Sequence, residues 1–210
     1  KSFKTYFSYT KENIPAMLIN NFELVSFDVF DTLITRLVYE PDDVFRLMER
    51  VIYSKWNKKI SYLPIRKEAE ALAASRKGDF CNINDIYESL PEVSVFTAEE
   101  ANELKELEIQ LEYDLCIPRK DSLEIFNRLV NAGKRVILVT DMYLTSEIIT
   151  RMLKKCGYEG FEAIWVSCEK GLRKDRDTMW EEFFRVYGKN KTIHIGDNPH
   201  SDCQLVGDRM

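Results

Sequence analysis

The chain has 210 residues, 45% of them apolar, enough to bury a core of its own and of a length suited to one domain or to a core with one insertion. A formal net charge of -5 and a pI near 5.3, with Lys and Arg interspersed among acids, argue against a general nucleic-acid binder or a membrane-surface protein, while leaving room for local binding of small anions. No apolar run reaches the roughly 18 residues of a membrane span, no signal peptide is visible, and the five cysteines are widely spaced without a CxxC pair, so neither a disulfide framework nor a zinc site is signalled and a reducing cytoplasm is expected.

The first 21 residues mix aromatic and polar side chains around a short predicted helix, Ile14 to Ile19, with Pro15 in its first turn. Phe22 to Phe27 (FELVSF) reads as a buried strand, and Asp28 falls where that strand ends. From Pro41 to about Pro118 the signals are helical, with no convincing strand. Pro41-Asp42-Asp43 opens a helix whose stripe is Val44, Leu47, Met48, Val51 and Ile52, and Ile65, Ala69, Leu72 and Ala73 form a second that stops near Gly78. Ile83 to Leu90 is a shorter helix; Thr97 to Glu100 is a capping-box pattern ahead of Leu104, Leu107, Leu111 and Leu115. Arg36, Arg66 and the lysines of this region are read as mostly solvated.

After Pro118 strands and helices alternate. Asp121 is expected as an N-cap with Glu124 three residues on, and Gly133 as the stop; Arg135 to Thr140 (RVILVT) is a buried strand; a helix runs from Ser146 to Cys156. Ala163 to Ser167 is a strand, Thr178 to Tyr187 a helix, and Thr192 to Gly196 (TIHIG) the last strand. This order predicts an α/β fold, a Rossmann-like parallel sheet covered by helices, with a helical insertion: core 1–36, insertion 37–116, core 117–210. Asp28, Thr140, Ser167 and Asp197 all come at or just beyond strand ends, where ligands bind in such sheets.

A carboxylate leaving an apolar strand is costly to bury unless cations or donors meet it, which marks Asp28 as a candidate nucleophile or metal ligand. The set FDVFDTL, the strand ending VTD, a Lys in GLRKD and IGDNPHSD resembles the four ordered motifs of the haloacid dehalogenase (HAD) superfamily, and the insertion resembles that superfamily's cap. The resemblance implies Asp28 as the nucleophile of an aspartyl intermediate, Mg²⁺ held by Asp28, the Phe30 carbonyl and Asp197 with Asp202 as a further acid, and a phosphoryl group held by Thr140 and Lys174. Lys170 is the rival to Lys174; Trp180, six residues on, favours the latter. His194 is read as a core histidine and His200 as a loop residue.

One departure bears on the chemistry. Where most phosphatases of the superfamily carry an Asp two residues after the nucleophile as general acid and base, this chain has Phe30, and Asp31 stands one residue later as the substitute acid. An aromatic there resembles the metal-independent dehalogenase branch, whereas the retained Asp197 favours a metal and phosphoryl transfer. The leading expectation is a Mg²⁺-dependent phosphohydrolase of a small phosphorylated metabolite, a sugar phosphate being one candidate. The alternatives are a dehalogenase-like hydrolase and a weakly catalytic binding or regulatory module of a longer protein, a piece of which this chain, starting at Lys1, is expected to be. The spelling FDVFDTL with TDMYL also resembles a bacterial HAD subgroup found beside or fused to surface-polysaccharide glycosyltransferases, which implies such a partner. Neither nucleic acid nor membrane is expected as a partner.

Overall fold

The computed structural model describes residues 13–209. The described residues open with helix α1 (Ile14–Asn21), whose Pro15 sits in the first turn, where no intrahelical donor is needed, and the chain then enters strand β1 (Leu24–Phe27). A short strand β2 (Ile34–Arg36) leads out to four helices, α2 (Asp43–Trp56), α3 (Tyr62–Lys77), α4 (Ile83–Ser89) and α5 (Ala98–Leu115), before strand β3 (Cys116–Pro118) returns antiparallel to β2. The remainder is α6 (Lys120–Asn131), β4 (Arg135–Thr140), α7 (Ser146–Lys155), β5 (Ala163–Val166), α8 (Ser167–Lys170), α9 (Thr178–Tyr187), β6 (Thr192–Ile195), a π-helical segment Pro199–Gln204 and α10 (Leu205–Arg209). No helix among the described residues is long and apolar enough to cross a membrane.

Strands β5, β4, β1 and β6 lie in that order as one parallel sheet. Its strands are apolar on both faces because helices cover both. Val25, Phe27, Val136 and Leu138 belong to one core, which continues into the helical insertion through Met48, Ile52 and Leu104. Leu24, Ile137 and Val139 face the other, where Trp180 and Phe183 of α9 pack. The two-stranded ribbon is pinned to the sheet side, since the Leu33 carbonyl accepts from Arg119 N at 2.8 Å and from the Tyr158 hydroxyl at 2.6 Å.

Four expectations about the fold need correction. The sequence signals no strand between Pro41 and Pro118, yet β3 is there, too short at three residues to carry a periodicity. Asp121 is not an N-cap: α6 begins at Lys120 with Arg119 in the cap position, and Asp121 is instead an acid of the first turn, favourable to the helix dipole. The buried line of α5 is Ala101, Leu104, Glu108 and Glu112, while Leu107, Leu111 and Leu115 are only partly covered. The reason is a buried polar network. Arg66 donates to both oxygens of Glu108 at 2.8 and 3.0 Å, the Tyr87 hydroxyl to Glu108 at 2.5 Å, and Arg36 Nε to Glu112 at 2.7 Å. Arg66 and Arg36 are therefore buried partners of α5 rather than solvated charges, which the insertion tolerates because each carboxylate is met by a guanidinium.

The predicted capping box is present in full: Thr97 accepts from Glu100 N, and Glu100 accepts from Thr97 N.

Candidate active site

The sheet register sets the site. Phe27 is opposite Leu138 of β4 and Ile195 of β6, so Asp28 comes level with Val139 and Gly196, and Thr140 and Asp197 each stand one residue further on, on either side of it. Because β1 is central and all four strands run the same way, these ends open on one edge. The Asp28 amide donates to the Ile195 carbonyl at 2.9 Å, which fixes its backbone to β6.

Lys174 lies in the loop between α8 and α9, and its ammonium donates to Asp28 Oδ1 at 2.6 Å and to Asp202 Oδ1 at 2.7 Å. All three side chains are less than a tenth exposed. Lys170, by contrast, lies over the Trp165 ring, 4.4 Å from its centroid. Carboxylate oxygens of Asp28, Asp197 and Asp202 all come within 4.8 Å of one another. The structure thus brings together Asp28, Lys174, Asp197 and Asp202.

Burial is the largest influence on Asp28 and pushes its carboxyl up to about 6; Lys174 opposes this and Asp202 adds to it. Burial also disfavours the Lys174 ammonium, but Asp28 and Asp202 outweigh it and hold the amine above its ordinary value, so it is charged. For Asp202 burial would raise the carboxyl, and the charged Lys174 ammonium, which donates to its Oδ1 at 2.7 Å, more than reverses it, holding Asp202 below the usual carboxylate range.

Asp202 sits in the π-helical segment, a geometry common at functional sites. Its surroundings fix it further. Asn198 N donates to its Oδ2 at 3.2 Å, the Trp180 indole donates to the neighbouring Ser201 carbonyl at 2.7 Å, and Gly196 leaves room for the carboxyl. A Cβ at Gly196 would lie 2.5 Å from Asp202 Cβ, Cγ and Oδ2, so only glycine fits. Behind it, His194 is a core histidine with Nδ1 2.8 Å from Ser26 Oγ and Nε2 3.4 Å from Asp202 Oδ1, the latter contact lacking hydrogen-bond geometry. Burial pushes its imidazole down to about 4, so the ring facing Asp202 is neutral near pH 7. His200 is exposed and outside the cluster.

Thr140 is buried at the end of β4, and its hydroxyl makes no hydrogen bond to another described residue. The Phe30 carbonyl likewise accepts none among the described residues, whereas the Val29 carbonyl takes two, from Leu33 N and Ile34 N. The structure does not bring Asp31 into the cluster. Its backbone turns left-handed at φ 60°, and its exposed carboxylate accepts from the Thr35 hydroxyl of β2 at 2.8 Å. The Phe30 ring two residues after Asp28 is covered instead by the Arg36 guanidinium, 4.5 Å from the ring centroid.

Two contributors escaped the sequence reading. Asp141 accepts from the Lys174 amide at 3.0 and 3.1 Å and so positions the loop that carries the ammonium; its signal was present, an acid directly after a buried strand. Thr32 donates to Asp197 Oδ1 at 3.2 Å, tying the β1 loop to the β6 loop, and no sequence signal marks it.

No family model matches the chain, and no curated protein does. Solved structures do match. A 2-haloacid dehalogenase from Pseudomonas syringae superposes with a TM-score of 0.61 at 15% identity, covering 89% of this chain and 83% of that one. The fold is that of the haloacid dehalogenases. A HAD family enzyme from Bacteroides thetaiotaomicron, in complex with magnesium and inorganic phosphate, gives a TM-score of 0.57 at 14% identity over 89% of this chain and 90% of that one. Magnesium-bound YfnB from Bacillus subtilis gives 0.55 at 16% over 89% and 86%. At these identities the likeness fixes the HAD-type fold alone. For a cation, the donor set decides: three carboxylates against one ammonium leave net negative charge, and they fit a small hard cation such as Mg²⁺, which Asp28, Asp197 and Asp202 would hold, with the Phe30 carbonyl the further oxygen that the motif resemblance implies.

Proposed function

We propose that the chain is a Mg²⁺-dependent phosphohydrolase of a small phosphorylated metabolite. One observation carries the reading: three acids, Asp28, Asp197 and Asp202, converge where a single lysine cannot neutralise them, and a divalent cation balances the charge. The magnesium and phosphate in the Bacteroides thetaiotaomicron structure of the same fold support it.

In this reading an Asp28 carboxylate oxygen attacks phosphorus, the bond from phosphorus to the leaving oxygen breaks, and an aspartyl phosphate forms. Water then attacks that phosphorus, and phosphate leaves with Asp28 restored. Lys174 faces the phosphoryl oxygens as charge builds on them, and the free Thr140 hydroxyl donates to one of them. Mg²⁺, when bound, supplies further neutralisation of the phosphoryl charge. Asp141 holds the Lys174 backbone, and no carboxyl stands two residues after Asp28, so the leaving oxygen takes its proton from solvent. Phosphate release from a panel of phosphate esters is expected with Mg²⁺, and is expected to be lost with chelator and in Asp28→Asn. Turnover indifferent to both would overturn the proposal.

Phe30 favours a second reading, a metal-independent hydrolase like the dehalogenase of this fold. Halide release from 2-haloacids in chelator would support it; Mg²⁺ binding that disappears in Asp197→Asn would count against it.

A further inference from the structure

Among the described residues one buried side-chain nitrogen or oxygen has no hydrogen-bond partner, and it is His194 Nε2. The ring lies behind Asp202 with its side chain 1% exposed, and its Nε2 is 3.4 Å from Asp202 Oδ1. A polar atom buried without a partner is costly, and such an exception has a cause.

The two ends of the ring fix where its proton sits. The imidazole is neutral, so one nitrogen carries the hydrogen and the other a lone pair. Nδ1 is 2.8 Å from Ser26 Oγ, whereas the other acceptor within reach of that hydroxyl, the Ile193 carbonyl, is 3.4 Å away. Ser26 therefore donates to Nδ1, and the ring proton is on Nε2. The opposite tautomer would point a lone pair at an ionised carboxylate, because the Lys174 ammonium keeps Asp202 charged. Nε2–H thus faces Asp202 Oδ1, but at a long distance and too poorly aimed to bond it.

The ring cannot close that gap. Trp180 packs against it with centroids 4.5 Å apart, and the Trp180 indole is itself tied to the Ser201 carbonyl at 2.7 Å. Asp202 Oδ1 is held by its present donor, Lys174, at 2.7 Å. That ammonium also serves Asp28 at 2.6 Å, and it has three N–H groups in all. In phosphoryl transfer it meets the phosphoryl oxygens as well, which gather at Asp28 because Asp28 bonds the phosphorus. The pull is towards Asp28 and away from Asp202, whose Oδ1 would keep only the Ser201 hydroxyl, at 3.4 Å, besides the imidazole it faces.

We propose that His194 is a positioning residue: its Nε2–H is a reserve donor that takes Asp202 Oδ1 when the Lys174 ammonium turns to a phosphoryl oxygen. Asp202 then has a donor on Oδ1 throughout the step, with Asn198 N on Oδ2 at 3.2 Å. The inference rests on the phosphohydrolase reading for what draws Lys174 away, and the experiment separates the two.

His200→Gln removes the one other imidazole of the chain, so ring ¹⁵N and ¹H spectra then report His194 alone. In chelator the Nε2–H tautomer is expected, and the Nδ1–H tautomer would overturn the proposal. Lys174→Met in that background frees Oδ1 without any phosphoryl ligand. The Nε2–H proton should then move downfield as the bond to Asp202 forms, and an unmoved resonance would overturn the proposal as well. Calorimetry of Mg²⁺ binding is the second measurement. His194→Phe keeps a ring against Trp180. It is expected to bind Mg²⁺ within about twofold of the parent in the absence of phosphate. With inorganic phosphate present it should bind about tenfold more weakly, the size of one hydrogen bond to a charged group. His194→Gln, which can return an N–H to Oδ1, should recover most of that loss. Equal losses with and without phosphate would show packing alone and overturn the proposal. Where the His194 variants fail to fold, the two spectra decide. Phosphate without effect on Mg²⁺ binding by the parent, together with inertness of every phosphate ester, would overturn the phosphohydrolase reading instead, and the Lys174→Met spectrum still decides whether His194 is the reserve donor.

Discussion

Replacing Asp28 by asparagine is expected to stabilise the metal-free protein at neutral pH. Burial pushes the Asp28 carboxyl from 3.8 to about 6, so its folded value lies above its unfolded one. A group shifted in that direction adds stability that is fully present below the unfolded value, near pH 4, and lost as pH rises through the folded value, near 6. A difference of about two units corresponds to roughly 3 kcal/mol, the cost at pH 7.5 of ionising Asp28 in its site. Asparagine keeps an acceptor for Lys174 and carries no charge, and Asp202 continues to pair the ammonium. Asp28→Asn should therefore be more stable than the parent by up to about 3 kcal/mol at pH 7.5 in chelator, with the gap closing towards pH 4. For a chain of this size that is a rise of roughly 6–12 °C in Tm. Comparing parent and variant at each pH by thermal unfolding cancels the other titrating groups. Adding Mg²⁺ at about 100 times its Kd should then stabilise the parent by about 2.7 kcal/mol and leave the variant nearly unchanged. A variant less stable than the parent in chelator at pH 7.5, or one stabilised by Mg²⁺ as much as the parent, would refute the reasoning.

Gly196→Ala places a Cβ 2.5 Å from the Asp202 carboxyl and should cost about 1–3 kcal/mol of stability; in calorimetry it should also weaken Mg²⁺ binding, and unaltered affinity would show that Asp202 is not a ligand. Asp31→Asn keeps the acceptor that Thr35 uses and tolerates the left-handed backbone, so hydrolysis of an alkyl phosphate should stay within about twofold of the parent, whereas a drop of roughly 10² or more would make Asp31 the general acid. Glu108→Leu leaves the fully buried Arg66 with Glu70 as its one remaining carboxylate and should cost about 3 kcal/mol in urea unfolding; adding Arg66→Met should recover most of it, and a single variant as stable as the parent would mean the pair is dispensable.

What the sequence determined by itself was the order of the four sheet strands and the longer helices between them. Arg135 to Thr140 and Thr178 to Tyr187 match the observed bounds because apolar runs and helical stripes are local properties, readable wherever burial follows period. The motif spellings likewise singled out Asp28, Lys174, Asp197 and Asp202, whose side chains the fold brings together. Tertiary structure decided where each side chain goes. That Lys174 rather than Lys170 reaches Asp28 depends on a loop held by Asp141, and that Asp31 turns back to Thr35 depends on one positive φ. Neither appears in a hydrophobic pattern. The same limit explains α5, where a leucine stripe pointed to an apolar face and the chain buries Glu108 and Glu112 instead. Their partners, Arg66 and Arg36, lie 42 and 76 residues away, and an ion pair across that separation leaves no periodic trace, since its stabilisation exists only once both charges have left water together.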